Sequence, residues 1–158
     1  MGYIENIRKK VGKDPIFMPA TGCGIIKDNK ILLQKRTDNN KWAIHGGSLE
    51  LGETFLDCVK REVREELGID IVDPVFIGTY SGEDMHYFYP NKDEVYIVSA
   101  VYLVTKYNGV INIDYNEVKE VKWFDIDSLP ENIHDPDKKS VVDIINYYKM
   151  HNNGKMDM

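Results

Sequence analysis

Apolar residues recur along the chain with two different periods, and each period predicts a different kind of element. Spacings of three and four residues predict a short N-terminal helix that ends at Gly12, a helix over Thr54–Leu67 and a C-terminal helix over Asp137–Met150. Runs rich in β-branched and aromatic residues predict strands over Ala20–Lys27, Lys30–Arg36, Trp42–Ile44, Val75–Ser81, Glu94–Lys106 and Val118–Phe124. Turn-forming residues predict a tight turn at Asp28–Asn29, a loop from Gly46 to Gly52 and a turn at Tyr107–Gly109.

Strands and helices are mixed along the chain rather than strictly alternating. This order favours an α/β (α+β) protein in which helices pack on a mixed sheet. The chain has 158 residues and no internal repeat or low-complexity linker. We therefore expect one domain over residues 1–150, with the short helix at its N-terminus, and a disordered tail over residues 151–158.

The composition narrows the classes of partner. The chain carries 26 acidic and 20 basic residues, which gives a net charge of −6 at pH 7. This balance argues against polymeric nucleic acid and against an anionic membrane surface as partners. No apolar run reaches the roughly 18 residues that a membrane span requires, and Cys23 and Cys58 form no CxxC pair. We expect a reduced, cytoplasmic protein without a zinc site or a disulfide framework.

The predicted helix over Thr54–Leu67 carries carboxylates beside its apolar stripe. On a helical projection, Glu62, Glu65 and Glu66 fall within an arc of roughly 100° that adjoins the apolar face. Glu62 and Glu66 are like charges four residues apart, which costs about 0.2–0.5 kcal/mol. Glu65 and Glu66 also lie in the last turn, where the helix dipole disfavours anions by about 0.3–1 kcal/mol. Stability alone does not account for this arrangement.

Two interpretations of this acidic arc remain open from the residues alone. It is either a charged surface with ordinary ion pairs, such as Asp57 with Arg61, or a site at which a divalent cation removes the repulsion. Hard cations such as Mg²⁺ take carboxylate oxygens as ligands, and substrate phosphates often complete their coordination.

The segment Gly47–Ile69 resembles the signature of the Nudix hydrolase family. That signature is G, five residues, E, seven residues and R-E-U-x-E-E-x-G-U, where U is a bulky aliphatic residue. Every specified position matches, at Gly47, Glu53, Arg61, Glu62, Val63, Glu65, Glu66, Gly68 and Ile69. The flanking segments ILLQKR, KWAIHGG and VKWFDIDSLP extend the resemblance over most of residues 18–130. The resemblance implies the Nudix fold, a mixed β-sheet sandwiched between α-helices.

The resemblance also implies an activity, the hydrolysis by metal-activated water of a pyrophosphate bond in a nucleoside diphosphate linked to another group. Substrates of this type include nucleoside triphosphates, dinucleoside polyphosphates, nucleotide sugars and ADP-ribose. By motif match, the resemblance makes Glu62, Glu65 and Glu66 ligands of Mg²⁺ (or Mn²⁺), with Glu53 as a further ligand or base. It implies that Arg61 orients the glutamates. Metal ions suit this chemistry because they neutralise phosphate oxygens and activate water. Because family members often pair, a homodimer is compatible with the resemblance.

Four residues are candidates for binding the substrate. The resemblance implies that Gly47 shapes the loop before the helix. His45 stands where the family commonly has proline, and it is either a tolerated loop residue or a residue near the phosphates that tunes binding. Arg36 ends the strand ILLQKR and either contacts a phosphate or forms a surface ion pair. Tyr87 lies where dinucleoside polyphosphate hydrolases often carry a tyrosine, and it either lines a base pocket or packs a strand.

Other positions help to predict which residue acts as the general base and which substrate is cleaved. Some family members take a general base from the region of Glu117 and Glu120, for which loop solvation is the alternative role. The proline common in members that act on ADP-ribose is absent, because that position is Met85. A Nudix-fold nucleotide-binding or regulatory module without turnover remains the main alternative function. Such modules often lose signature glutamates, whereas this chain retains them. A prenyl diphosphate isomerase is disfavoured, since no additional cysteine–glutamate signature is recognisable.

Overall fold

A computed structural model describes residues 2–156 of the chain. Its α-helices are α1 (Tyr3–Val11), α2 (Phe55–Leu67) and α3 (Lys138–Met156), and single turns of 3₁₀-helix lie at Glu83–Met85 and Asp135–Asp137. Its strands are β1 (Ile16–Lys27), β2 (Lys30–Lys35), β3 (Trp42–Ala43), β4 (His45–Ser48), β5 (Asp70–Val72), β6 (Val75–Tyr80), β7 (His86–Phe88), β8 (Glu94–Val104), β9 (Lys106–Asn108) and β10 (Glu120–Asp125).

Eight of these strands form one mixed sheet. Its path runs β10-β2-β1-β8-β6, and β3, β4 and β7 pair with β2, β1 and β8 respectively. The central strands β1 and β8 are parallel, in a register that runs from Ile16 opposite Val95 to Ile25 opposite Val104. The other pairings in this sheet are antiparallel. β5 and β9 form a separate antiparallel pair. The predicted mixed sheet is therefore confirmed.

Helices α2 and α3 cover opposite faces of the sheet. The α2 side of the core joins Val59, Val63 and Leu67 of the helix to sheet residues that include Cys23, Ile25 and Tyr102. The α3 side contains Val141, Ile144, Ile145 and Tyr148 together with Ile26, Ile31 and Leu33. Because both faces are covered, β1 is buried almost without interruption from Ala20 to Ile26. The predicted arrangement of a sheet sandwiched between helices is confirmed.

Two predicted connections are wrong. Of the loop predicted from Gly46 to Gly52, residues 46–48 belong instead to strand β4, which pairs with Ala20–Cys23 of β1. The predicted turn at Tyr107–Gly109 overlaps β9, which pairs with β5. Glycine-rich segments have low intrinsic β propensity, so the pattern of His45–Ser48 favoured a loop. Short strands such as β5 and β7 owe their extended conformation to their partners, and the local sequence did not indicate them.

The chain termini match the sequence predictions in part. The predicted N-terminal helix is confirmed as α1, and Gly12 follows it with φ 65°. Helix α3 extends to Met156 and so enters residues 151–158, which were expected to form a disordered tail. Residues 157 and 158 lie outside the described residues, and the expectation for them stays a prediction. No helix within residues 2–156 combines the length and apolarity that crossing a membrane requires.

Gly46 allows β4 to approach β1 closely. A Cβ atom at this position would overlap the backbone of the facing strand, where it would meet the Thr21 carbonyl oxygen and lie 2.7 Å from Gly22 Cα. Backbone atoms in the centre of a paired sheet cannot move aside as a flexible side chain can. The close pairing of β4 with β1 therefore requires glycine here.

We expect Gly46→Ala to lower the free energy of unfolding by about 1–3 kcal/mol, because overpacking against backbone forces the strands apart. Gly78→Ala is the matched control. A Cβ at Gly78 would meet only the Tyr80 side chain, at 3.6 Å or more. Urea denaturation of both variants measures the difference. Equal stabilities for the two variants would contradict the close-approach explanation.

Candidate active site

Helix α2 presents its glutamates from a well-defined helical frame. Thr54 precedes the helix, and its Oγ1 accepts a hydrogen bond from the Asp57 N–H at 3.0 Å. Gly68 ends the helix in the left-handed conformation, with φ 69° and ψ 19°. Val59, Val63 and Leu67 are fully buried against the sheet. The helix predicted over Thr54–Leu67 is confirmed, and its buried stripe fixes where the neighbouring glutamates lie.

The three glutamates of the predicted arc lie at different depths. Glu66 is buried, with 5% of its surface exposed. The side chains of Glu62 and Glu65 are 15% and 49% exposed. Burial raises the pKa of Glu66 to about 8 and that of Glu62 to about 7. A nearby cation would favour the charged forms of both carboxyl groups, so the electrostatics of this face of α2 suit a positively charged ligand.

Arg61 links the acidic residues to one another. Its Nε and Nη2 donate to the two carboxylate oxygens of Glu53 at 2.5 and 3.0 Å. Its Nη1 donates to Glu62 Oε1 at 3.0 Å and lies 3.3 Å from both carboxylate oxygens of Glu65. The Ser48 carbonyl accepts a further bond from Nη2 at 3.2 Å. This planar fork of donors holds three carboxylates beside one guanidinium. The expected orienting role of Arg61 stays a prediction.

Arg61 stabilises the charged form of Glu53. The hydrogen bonds from Arg61 lower its pKa to about 2, against the opposing effect of burial. Its Oε1 also accepts the Glu50 N–H at 2.9 Å. Of the two roles expected for Glu53, ligand or base, its low pKa disfavours the base, because an effective general base has a pKa near the working pH.

Glu66 is held by two donors from other elements. Gln34 Nε2 donates to Oε2 at 2.9 Å, and the Gly46 N–H donates to Oε1 at 3.1 Å. Gln34 belongs to β2 and is itself buried. Sequence reasoning missed Gln34, although a polar residue within the apolar strand ILLQKR was a usable signal.

Gly47 brings β4 against the helix at Glu62. A Cβ atom at Gly47 would overlap the Glu62 carboxyl group, lying 2.6 Å from each of its oxygens. The strand backbone therefore passes directly beside this carboxylate. Any other residue at position 47 would displace Glu62.

A cleft with a volume of about 440 Å³ joins Glu62 and Glu66 to Arg36 and Tyr87. Glu62, Glu66, Gly46, Gly47 and Glu117 line one end. Glu117 is exposed and is a minor cause of the raised pKa of Glu62 and Glu66, after burial. Glu120 lies on β10 and is also exposed. Of the two acids considered as general bases, only Glu117 is among the residues that line this cleft.

Arg36 and Tyr87 meet at the other end of the cleft, in a network that the sequence did not reveal. Arg36 Nε and Nη2 each donate to Asp38 at 2.8 Å, and the Arg36 guanidinium lies 5.5 Å from the centre of the Tyr87 ring. The Tyr87 hydroxyl donates to Asp38 Oδ2 at 2.7 Å. Asn39 Nδ2 contacts both the Tyr87 hydroxyl, at 3.2 Å, and His134 Nδ1, at 3.0 Å. Tertiary structure alone brings Asp38 and His134 into the lining of the cleft, where Asn39 contacts Tyr87 and His134 from outside the lining.

The charges at this far end compensate one another. Burial alone would raise the pKa of Asp38, but the hydrogen bonds from Arg36 and Tyr87 lower it below its ordinary value. Burial and Asp38 raise the pKa of Tyr87 to about 12. The Arg36 guanidinium is thus already paired, rather than free for a phosphate. Its ion pair with Asp38 is about one-quarter exposed on the arginine side.

His45 lies in the wall of the cleft, and its side chain is fully buried. Its Nδ1 is 3.8 Å from Glu66 Oε1, too far for a hydrogen bond. Burial lowers the pKa of His45 to about 3, so the contact joins a neutral imidazole to the carboxyl group. Position 45 is therefore a buried strand residue next to Glu66 rather than a loop residue.

The donor set fits a hard divalent cation in its chemistry. Glu53, Glu62, Glu65 and Glu66 offer carboxylate oxygens, the ligands that Mg²⁺ and Mn²⁺ take. Among residues 2–156, however, no three His, Cys, Asp or Glu side chains stand in an arrangement that could already hold a metal ion. Arg61 contacts three of the four carboxylates, and Gln34 with Gly46 holds Glu66. Coordination by three of these carboxylates would therefore require some of their side chains to shift from the present arrangement.

Comparisons with known proteins point to one family. A family model described as the NUDIX domain matches residues 17–144. An ADP-ribose pyrophosphatase of Methanocaldococcus jannaschii is 35% identical over 145 residues, which cover 86% of this chain and 81% of that protein. The NAD-capped RNA hydrolase NudC of Vibrio atlanticus is 32% identical over 119 residues, which cover 74% of this chain and 40% of that protein. The chain thus spans about two-fifths of the length of that relative.

Solved structures share the fold. The MutT NUDIX hydrolase from Burkholderia pseudomallei aligns with a TM-score of 0.70 at 24% identity, over 83% of this chain and 98% of that one. The mMutator MutT protein from Bacillus halodurans aligns with a TM-score of 0.68 at 25% identity, over 82% of each chain.

The contacts of Arg61 predict that it is energetically coupled to Glu53. In a double-mutant cycle, we expect Arg61→Gln and Glu53→Gln to show a coupling energy of about 1–2 kcal/mol, since their two charge-assisted bonds are partly shielded from solvent. The matched control is the ion pair between Arg64 and Asp70, at 2.6 Å with both side chains more than half exposed. There we expect about 0.5 kcal/mol or less. Unfolding free energies of the single and double variants give both couplings. A coupling no larger for Arg61 than for Arg64 would rule out the linking role.

Proposed function

The chain belongs to the Nudix hydrolase family, and from this premise we propose that it cleaves a pyrophosphate bond in a nucleoside diphosphate linked to another group, in the presence of Mg²⁺ or Mn²⁺. The observation that carries the proposal is a group of four glutamates, three of which contact Arg61 and two of which, Glu62 and Glu66, line a cleft. A cleft of about 440 Å³ is within the range of small-molecule sites. We also propose that residues 1–150 act as one domain.

In the proposed reaction, Glu62, Glu65 and Glu66 would hold the cation, and Glu53 would hold Arg61 in place rather than accept a proton. When bound, the metal supplies charge neutralisation at the phosphate oxygens and activation of water. The protein contributes by orienting the glutamates through hydrogen bonds. Arg61 donates to Glu53, Glu62 and Glu65, while Gln34 and the Gly46 N–H fix Glu66. Preorganised groups of this kind cost little reorganisation during the reaction.

The far end of the cleft supports a role in binding the group on one side of the diphosphate. Arg36, Asp38 and Tyr87 are held by mutual contacts, so they form a rigid surface of donors and acceptors rather than free side chains. Predicted substrate residues Arg36, Gly47 and Tyr87 all line the same cleft as the glutamates. We propose that Asp38 and His134 belong to this substrate-binding surface as well.

Two relatives suggest where to begin with substrates. One is named for ADP-ribose and the other for NAD-capped RNA, and in both compounds a diphosphate joins a nucleoside to another group. ADP-ribose is therefore a candidate, even though Met85 replaces the proline that marks many enzymes acting on it. A capped RNA is a second candidate. The expectation from net charge that no polymeric nucleic acid binds stays a prediction, and the screen below tests it.

A substrate screen tests the proposal. Product release is measured with nucleoside triphosphates, ADP-ribose, nucleotide sugars, dinucleoside polyphosphates and an NAD-capped RNA, each with and without Mg²⁺ or Mn²⁺. We expect metal-dependent cleavage of at least one class, with products that place the break in the diphosphate. Tight nucleotide binding by calorimetry with no product after long incubation would instead support a binding or regulatory module without turnover.

Removing single carboxylates tests the roles of the glutamates. We expect Glu65→Gln and Glu66→Gln each to lower metal-dependent kcat/KM by on the order of 100-fold or more, because charge stabilisation in the site is lost. Both variants should fold, as judged by thermal unfolding. The control is Glu131→Gln, an exposed residue outside the cleft. Near-wild-type rates in both site variants would argue against this assignment.

A further inference from the structure

His45 has a buried side chain whose polar atoms are unpaired. Among residues 2–156, the buried side-chain nitrogen and oxygen atoms without a hydrogen-bond partner are Arg8 Nε and both ring nitrogens of His45. The His45 side chain has no exposed surface. Buried polar groups in proteins are nearly always hydrogen-bonded, and leaving one unpaired costs about 1–3 kcal/mol. A ring with two such atoms calls for a physical explanation.

The carboxyl group of Glu66 lies next to this ring. His45 Nδ1 is 3.8 Å from Glu66 Oε1, less than about 1 Å beyond hydrogen-bond distance. The backbone of His45 cannot move far, because β4 pairs His45 with Cys23 of β1. The next residue, Gly46, donates its N–H to the same oxygen of Glu66. A small shift of the Glu66 side chain would therefore complete a second bond to Oε1.

A carboxylate that ligates a cation benefits from such donors. Two carboxylate oxygens together offer about four acceptor positions. Gly46 and Gln34 now occupy one on each oxygen, which leaves positions for both a cation and a further donor. Residues that hydrogen-bond to metal ligands fix their orientation, and removing them typically weakens metal affinity by about 10–100-fold.

We propose that His45 is a positioning residue for Glu66, whose carboxylate accepts a hydrogen bond from His45 Nδ1–H when Glu66 ligates a divalent cation. This inference rests on the proposed function, since it requires Glu66 to be a ligand. The position explains why a polar ring is buried at this point of β4, where an apolar side chain would pack without unpaired atoms. With this bond, two neighbouring residues of one strand, His45 and Gly46, would both donate to the same carboxylate oxygen of Glu66.

The competing explanation is that the ring only fills space. The variants His45→Phe and His45→Asn separate the two explanations. Phenylalanine keeps a planar ring but has no donor. Asparagine is smaller than histidine but can place its amide N–H near the position of Nδ1. A residue that only fills space tolerates phenylalanine better than asparagine, whereas a residue that donates to Glu66 shows the opposite order.

The readout is Mn²⁺ affinity, measured from the electron paramagnetic resonance signal of free Mn²⁺ during titration and so independent of turnover. We expect His45→Phe to weaken binding by about 10–100-fold and His45→Asn to retain affinity near that of the wild type. Unfolding of the metal-free proteins is measured in parallel. There we expect His45→Phe to be at least as stable as the wild type, because the unpaired nitrogens are gone. His86→Phe is the control. It removes a partly buried histidine that contacts Glu94 and lies outside this cleft, and it should leave Mn²⁺ affinity unchanged.

Each outcome decides between the explanations. If the wild type binds Mn²⁺ and His45→Phe binds it equally well, the positioning role is wrong while the proposed function stands. If the wild type neither binds Mn²⁺ nor hydrolyses any substrate in the screen, the proposed function fails and this inference falls with it. Should His45→Phe not fold, His45→Gln replaces it, because its longer side chain places the amide near Nε2. Equal Mn²⁺ affinity for the glutamine and asparagine variants would then overturn the proposal.

Discussion

The structure depends on keeping four carboxylates close together at the edge of a hydrophobic core. Burial against the sheet raises the pKa of Glu62 and Glu66, and like charges along one helix repel one another. Arg61 offsets this repulsion with hydrogen bonds to Glu53, Glu62 and Glu65. The remaining glutamate, Glu66, is held by neutral donors. The fold therefore holds acidic groups in positions where a cation would stabilise their charged forms. This is the physical basis of the proposed chemistry.

Close approach between backbone and helix makes this arrangement possible. Gly46 allows β4 to pair tightly with β1, and Gly47 lets the same strand pass beside the Glu62 carboxyl group. The backbone N–H of Gly46 then reaches Glu66. One short strand thus contributes to the sheet, shapes the cleft and binds a glutamate. A substitution in this strand would alter both the stability of the fold and the site, because both depend on how closely β4 approaches β1 and helix α2.

The two ends of the cleft differ in how their charges are balanced. At the glutamate end, the negative charge exceeds what Arg61 can neutralise. At the far end, Arg36 and Asp38 form a closed ion pair supported by Tyr87. A phosphate chain suits the first end once a cation is present, and a neutral or hydrogen-bonding group suits the second. This division agrees with the proposed type of substrate, in which a diphosphate joins a nucleoside to another group.

The sequence by itself determined the helices, the longer strands and the spacing of the glutamates, because these follow from periodicity, capping residues and a motif confined to Gly47–Ile69. Only the tertiary structure decided that His45–Ser48 is a strand, that Gln34 donates to Glu66, and that Asp38 and His134 share a cleft with Tyr87. The reason is physical. Periodicity records how a segment meets a core, whereas hydrogen bonds between residues distant in sequence depend on which strands pair and at what register.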